Sequence, residues 1–254
     1  MKQIVEVRGI KFGEGMPKIC VPLIGKNNAE LVEEAKFLKT LKSDIVEWRI
    51  DHHQDVEDIN KMEEALKLLR DILGDMPLLV TFRSKKEGGE REVSTEYYAE
   101  LNKRMVAIGI ADMIDVELFT GDEIVKEIVD FAHSKDVKVV MSNHDFFKTP
   151  TKEEIVSRLC KMQEMNADLP KIAVMPQTTE DVLTLLAATN EMVTKYADRP
   201  VITMSMAGLG VVSRLVGEVF GSALTFGVAK AASAPGQVPV EKLAQVLEIM
   251  HESK

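Results

Sequence analysis

The chain has 254 residues, 45% of them apolar and 29% charged, the balance of an ordinary globular protein long enough for one large α/β domain or two small ones. A net charge of −9 with both signs scattered along the sequence argues against nucleic acid as a partner, and no apolar run approaches the ~18 residues that cross a bilayer, so no membrane is expected. The N-terminus lacks a signal-peptide core, and the two cysteines, Cys20 and Cys160, make no disulfide framework, so a reducing cytoplasm is expected.

Residues 3 to 12 come first. Val5, Val7 and Ile10 flank Arg8-Gly9, which reads as a turn or as part of a frayed tail. The expectation is a hairpin extension, within residues 1–16, covering the bottom of a barrel. Strand patterns then run over 19–23, 45–50, 78–82, 113–118, 137–142, 171–175, 201–205 and 223–226. Amphipathic runs separate them. Met62, Ala65, Leu66, Leu69, Ile72 and Leu73 recur at helical spacing, and Thr151-Lys152-Glu153-Glu154 has the form of a capping box. Eight strand–helix pairs without a linker predict a single α/β domain over 1–254, a closed (β/α)8 TIM barrel, with an open doubly wound sheet as its rival.

Strand alternation sharpens that reading. In Ile45-Val46-Glu47-Trp48-Arg49-Ile50-Asp51, one face holds Glu47, Arg49 and Asp51 and the other Val46, Trp48 and Ile50. Within a βα alternation the outer face must meet helices, so Glu47 and Arg49 project into the barrel. By the same argument Asp115 and Glu117 share one face, and Leu79, Thr81 and Arg83 another. Charges on several inner faces are costly unless they pair or bind something. They predict a polar cup at the C-terminal mouth, where this fold places its active sites.

Lys171 opens the apolar run Lys171-Ile172-Ala173-Val174-Met175. An ammonium buried there costs several kcal/mol unless it is paired or neutral. A neutral lysine amine attacks ketones and aldehydes to form a Schiff base. His144, at the end of the preceding strand, suits proton removal beside such an imine. Glu87, just after the third strand, is placed either in a solvated loop or where it orients His144. Arg214 follows a glycine-bearing loop and suits a carboxylate or a phosphate. The last loop, Ser233-Ala234-Pro235-Gly236-Gln237, offers a hydroxyl and an amide. No histidine pair has metal-site spacing and no Walker motif or dinucleotide fingerprint follows a strand, so neither metal nor cofactor is expected.

Together these residues resemble the type I 3-dehydroquinate dehydratase family, almost end to end. The matching segments include Glu47-Trp48-Arg49-Ile50-Asp51, Thr81-Phe82-Arg83-Ser84 through Glu87-Gly88-Gly89, Met141-Ser142-Asn143-His144-Asp145-Phe146, Pro170-Lys171-Ile172-Ala173-Val174-Met175, Ser213-Arg214 and the Ser233–Gln237 loop. The resemblance implies a cofactor-free homodimeric barrel. It implies that Lys171 forms an imine with the C3 ketone of the small-molecule substrate 3-dehydroquinate and that His144 moves the protons. It further implies that Glu87 holds His144, that Arg214 binds the substrate carboxylate, and that Glu47, Arg49, Arg83, Ser233 and Gln237 hold ring hydroxyls and shape the site. The product is 3-dehydroshikimate, an intermediate of aromatic amino-acid biosynthesis. One departure is Val21-Pro22-Leu23, where many members carry a serine; a proline has no donor there. The runner-up is a Schiff-base aldolase on the same barrel, which would use Lys171 but break a carbon–carbon bond.

Overall fold

The computed structural model describes residues 3–230 and 233–254; the first two residues of the expected hairpin extension lie outside them. Strands β1 (Val5–Val7) and β2 (Ile10–Phe12) pair antiparallel across Arg8 and Gly9. Both turn residues have positive φ, 46° and 80°, as a type I′ hairpin turn requires. Eight strands then run parallel: β3 (Lys18–Leu23), β4 (Ile45–Arg49), β5 (Leu78–Thr81), β6 (Met113–Glu117), β7 (Lys138–Asp145), β8 (Leu169–Val174), β9 (Ile202–Ser205) and β10 (Leu224–Val228). A short β11 (Val238–Pro239) adds to β10.

The strands follow chain order around the wall, and β10 pairs back onto β3. The remaining seam, between β9 and β10, is closed differently. One parallel bridge joins Val201 to Ser222, with the Ala223 N–H donating to Val201 O at 2.8 Å. Beside it the Ser222 hydroxyl accepts from the Thr203 N–H at 3.0 Å and lies 3.3 Å from Thr203 O. A side chain thus substitutes for backbone pairing where the ladder stops. The architecture is the closed α/β barrel, with its hairpin, that the alternation predicts.

Helices cover the wall: α1 (Asn28–Leu38), α2 (Ile59–Leu73), α3 (Thr95–Ala107), α4 (Asp122–His133), α5 (Lys152–Glu164), α6 (Thr179–Glu191), the short α7 (Val211–Leu215) and α8 (Gly217–Phe220), and α9 (Val240–Glu252). The α2 stripe buries Met62, Ala65, Leu66, Leu69 and Leu73 against the sheet, on the order of 2 kcal/mol for each long side chain. Thr151 caps α5 by accepting the Glu154 N–H, but the expected reciprocal bond is replaced, because the Glu154 carboxylate turns to Arg158 Nε at 2.8 Å. The complete capping box forms instead at α6, between Thr178 and Asp181.

Inside, the wall is layered. Cys20, Ile45, Leu79, Met113, Val140, Leu169, Ile202 and Leu224, one from each strand, make an apolar floor with Val5, Val7 and Phe12 of the hairpin. Val46, Trp48 and Ile50 face outward into the helix-side core, which leaves Glu47 and Arg49 inside. The strand boundaries shift from the sequence expectation by a residue or more throughout, and two of the shifts bear on the site. β8 begins at Leu169, so Lys171 sits within the strand and not at its start; Leu169 is needed for the floor, one pleat below. β7 runs on to Asp145, so His144 is held in the sheet, opposite Ala173 of β8.

Candidate active site

Lys171 faces Ser142 across the β7–β8 pair and is 3% exposed. Its Nζ lies 3.5 Å from Asp115 Oδ2, 4.0 Å from Glu47 Oε1, and 4.6 Å from the centre of the Phe226 ring. The amine is therefore paired rather than stranded in an apolar wall, which modifies the expectation from its strand. Its partners come from β6 and β4, whose inward carboxylates belong to the layer above the floor.

Those carboxylates are themselves fixed. Ser142 Oγ donates to Asp115 Oδ1 at 2.6 Å, and Arg83 Nη2 lies 2.8 Å from Oδ2. Arg83 also reaches Glu117 at 3.0 Å and donates to Ser142 Oγ at 2.9 Å. Burial pushes the Asp115 pKa up, but Arg83, Lys171 and the hydrogen bonds outweigh it and hold the acid below its ordinary value. Thr81 Oγ1 donates to Glu47 Oε1 at 2.9 Å. Arg49 is gripped bidentately by Asp51, both bonds 2.8 Å. Asp51 in turn accepts the N–H groups of Arg83 and Glu90, tying Arg49 to the loop that carries Glu87.

Glu87 ends a 3-10 turn, Lys85–Glu87, and is buried rather than solvated. One oxygen accepts the His144 backbone N–H and lies 3.0 Å from His144 Nδ1; the other accepts from Asn143 Nδ2 at 3.2 Å. Burial, with repulsion from Glu117, raises Glu87 to about 7 against the pull of Arg83. Burial and then the nearby cations Arg83, Lys171 and Arg49 push His144 well below its ordinary pKa, so the imidazole is neutral at pH 7. With Glu87 ionised, Nδ1 carries the proton and donates it to the carboxylate, which leaves the Nε2 lone pair free as a base; this tautomer is assigned from the partner. Phe146 stacks on the imidazole. Gly88 is indispensable here: it has a φ of 85°, and a Cβ would overlap the Phe146 ring.

Arg214, on α7, is 1% exposed. Its Nη2 donates to Pro235 O at 3.1 Å, Nη1 lies 3.7 Å from Met204 Sδ, and Nε has no partner. Among the described residues no carboxylate pairs with it, and burial alone lowers its pKa to about 10. Ser233 and Gln237 bind each other, Gln237 Nε2 donating to Ser233 Oγ at 3.1 Å and Oε1 accepting the Ser233 N–H. Pro235 O also accepts the Ala207 N–H, so the last loop is tied across the mouth at two points.

All nine residues singled out from the sequence line one cavity of about 40 Å³, with Ala173, Met204, Met206 and Phe226 among its apolar walls. Sequence reasoning gave no role to Asp115, Ser142, Asp51 or Phe146. The alternation had already set Asp115 on the inner face with Glu117; extended to β7 it turns Ser142 and His144 inward together. The dependence of the His144 ring on Phe146 has no such signal. Pro22 pairs in register with Glu47 and does not line the cavity. Among the described residues, no group of three His, Cys, Asp or Glu side chains is arranged to hold a metal, and no helix is long and apolar enough to cross a membrane. This constellation can take up a carbonyl compound bearing an anionic group, attack it with an amine, and move protons with a neutral histidine.

The sequence model of the type I 3-dehydroquinase family matches residues 19–254. The 3-dehydroquinate dehydratase of Clostridioides difficile is 60% identical over 253 residues, spanning 100% of this chain and 99% of that protein. That of Bacillus licheniformis is also 60% identical, over the whole of both. A crystal structure of the Clostridium difficile type I enzyme with covalently modified comenic acid superposes with a TM-score of 0.98, at 60% identity and 100% coverage of both chains. That of the Geobacillus kaustophilus 3-dehydroquinate dehydratase superposes at 0.96, with 35% identity and 99% coverage of each.

Proposed function

The chain belongs to the type I 3-dehydroquinase family, and on that premise we propose that Lys171, His144 and Glu87 carry out the dehydration of 3-dehydroquinate to 3-dehydroshikimate. The Lys171 amine adds to the C3 ketone, and loss of that oxygen as water leaves a protonated imine. His144 Nε2 takes a proton from C2. The C2–H pair becomes a C2–C3 double bond as the imine π pair moves to nitrogen. The pair then returns, the C1–O bond breaks, and the hydroxyl leaves with the His144 proton as water. Hydrolysis of the conjugated imine frees the product and restores the amine. Glu87 accepts from Nδ1 throughout, which keeps Nε2 aimed at the substrate and stabilises the imidazolium that forms.

One observation carries the reading: the cavity that holds Lys171 and His144 also holds a buried arginine, Arg214, without an anionic partner among the described residues. A guanidinium so placed suits the substrate carboxylate. Glu47, Arg49, Arg83, Ser233 and Gln237 hold ring hydroxyls in the same proposal. A homodimer in the cytoplasm completes it, supported by the family resemblance and by two cysteines that are both free.

The test is direct. Adding 3-dehydroquinate should produce the ultraviolet absorbance of the conjugated enone, and borohydride added with substrate should leave a covalent adduct on Lys171 by peptide mass spectrometry. An adduct on another residue, or turnover with none, would remove Lys171 from the reaction.

A further inference from the structure

We propose that Asp115, which also pairs with Arg83, is the counterion of the Lys171 nitrogen, holding the imine in its protonated, electron-withdrawing form. The inference deepens the reaction above and rests on it.

The geometry sets Asp115 apart from every other acid near Nζ. Its Oδ2 is the nearest carboxylate oxygen, 3.5 Å away. It is fully buried, is not part of the cavity lining, and is clamped from both sides by Arg83 and Ser142. Substrate hydroxyls therefore do not reach it, and its Oδ2 is shared between Arg83 at 2.8 Å and the Lys171 nitrogen at 3.5 Å. Glu47 is farther, at 4.0 Å, and lines the cavity, where a ring hydroxyl competes for it. The other groups facing the nitrogen are Arg83 and Glu87 in the loop after β5, Arg49 on β4, His144 on β7 and the buried Cys20 thiol on β3, with the Phe226 ring on β10. The two arginines and His144, once it is protonated, would push a proton off an imine; among the described residues Asp115 and Glu47 are the carboxylates within 4.0 Å that oppose them, while Glu87 is engaged by His144 and Asn143.

The chemistry needs that opposition. A neutral imine is a poor electron sink, because the pair arriving from the C2–H bond must rest on nitrogen without a compensating positive charge. Asp115 cannot serve as the base that takes the C2 proton, since the cations and hydrogen bonds around it keep it ionised and weakly basic. It holds a fixed negative charge opposite the nitrogen, from the amine that adds to the ketone to the protonated imine that follows. Its value lies in not titrating.

The experiment reads the alkaline limb of kcat and of borohydride trapping, both of which require the protonated imine. For Asp115→Asn the limb should move down by about one to three pH units, the effect of removing an opposite charge within a few ångströms, while KM changes little. Asp115→Glu should restore most of the limb. Glu47→Gln should raise KM and leave the limb near that of the parent. A limb unmoved in Asp115→Asn, or moved as far by Glu47→Gln, overturns the proposal. Should Asp115→Asn fail to fold, the parent protein labelled with 15N at lysine Nε decides. With 3-oxocyclohexane-1-carboxylate, a ketone lacking the leaving hydroxyl, a proton-bearing imine nitrogen at about pH 9 supports the counterion, and a neutral imine already at pH 7 overturns it. If neither ketone nor substrate leaves any trapped adduct on Lys171 of the parent at any pH, the reaction assignment itself has failed. An adduct with an unmoved limb refutes the counterion alone.

Discussion

Arg214→Met should make the empty protein more stable while crippling it as an enzyme. A solvated guanidinium stays charged far into the alkaline range, and burial without any carboxylate brings this one down to about 10. At about 1.4 kcal/mol per pH unit, that is a cost on the order of 3 kcal/mol for holding the charge in the fold. Methionine keeps most of the stem among Met204 and its neighbours but removes the charge. It also removes the bond from Nη2 to Pro235 O, which offsets about 1 kcal/mol of the gain. The net of roughly 2 kcal/mol corresponds to about 4–8 °C in Tm for a domain of this size. The sign with pH follows from a base whose folded pKa is depressed. The cost is fully present below pH 10 and fades between 10 and the unfolded value, so the advantage of the variant should shrink there. With substrate the order reverses: losing charge-assisted bonds to a carboxylate should lower kcat/KM by on the order of 10²–10³. Thermal unfolding in a buffer without carboxylate or phosphate, paired with steady-state kinetics, checks both halves. A variant less stable than its parent in that buffer would show that Arg214 carries no unmet burial cost, and the argument for an anion site would fail.

His144→Ala should still allow some imine to be trapped on Lys171 but slow turnover by at least about 10²-fold, because proton transfer loses its base; near-normal turnover removes His144 from that role. Glu87 gives the acid limb of kcat/KM. Raised to about 7 by burial, it must lose its proton before it can accept from Nδ1, whereas His144 titrates far lower. Glu87→Gln should abolish a limb near pH 7, and a limb that survives belongs to another group. The same raised carboxylate destabilises the fold increasingly from pH 4.5 up to about 7, so Glu87→Gln should be more stable than its parent at pH 8 and lose that advantage below pH 4.5 in denaturant titrations. Ser222→Ala strands the buried Thr203 N–H at the β9–β10 seam and should cost about 1–3 kcal/mol in unfolding, with kcat retained; an unchanged midpoint would mean the seam is closed without it.

How far the sequence reached depends on what each residue's position encodes. Period-two alternation with helices on the outside was enough to turn Glu47, Arg49 and Arg83 inward, because Trp48 and Val46 had only the helix layer to enter. His144 came beside Lys171 from its place at the end of the neighbouring strand, and the register of β7 with β8 bears that out. The start of β8 was missed since Pro170 reads as a strand breaker, yet it lies in register with Met141 with Leu169 filling the floor beneath. Glu87 was not legible from its own segment: Lys85-Lys86-Glu87 looks solvated, and only the contacts of its carboxylate with Asn143 and His144, 56 and 57 residues away, bury it. The pairing of Lys171 with Asp115 reaches past β7 from β8 to β6, a relation between strands that no single segment carries.

Pairing also separates the tasks of the inward cations. Arg49 has Asp51, and Arg83 has Asp115 and Glu117, so each is neutralised before any ligand arrives and holds its place by bonds at 2.8 to 3.0 Å. Lys171 is also paired, but loosely, at 3.5 and 4.0 Å, distances that suit the change of covalent partner proposed for its nitrogen. Arg214 alone of the four faces the cavity unpaired among the described residues. The apolar floor and the hairpin beneath it keep water from entering below, which strengthens each of these interactions. A substrate with a ketone near Lys171 and a carboxylate at Arg214 therefore meets one amine ready to react and one cation still lacking its anion, and its orientation in the barrel follows from that difference.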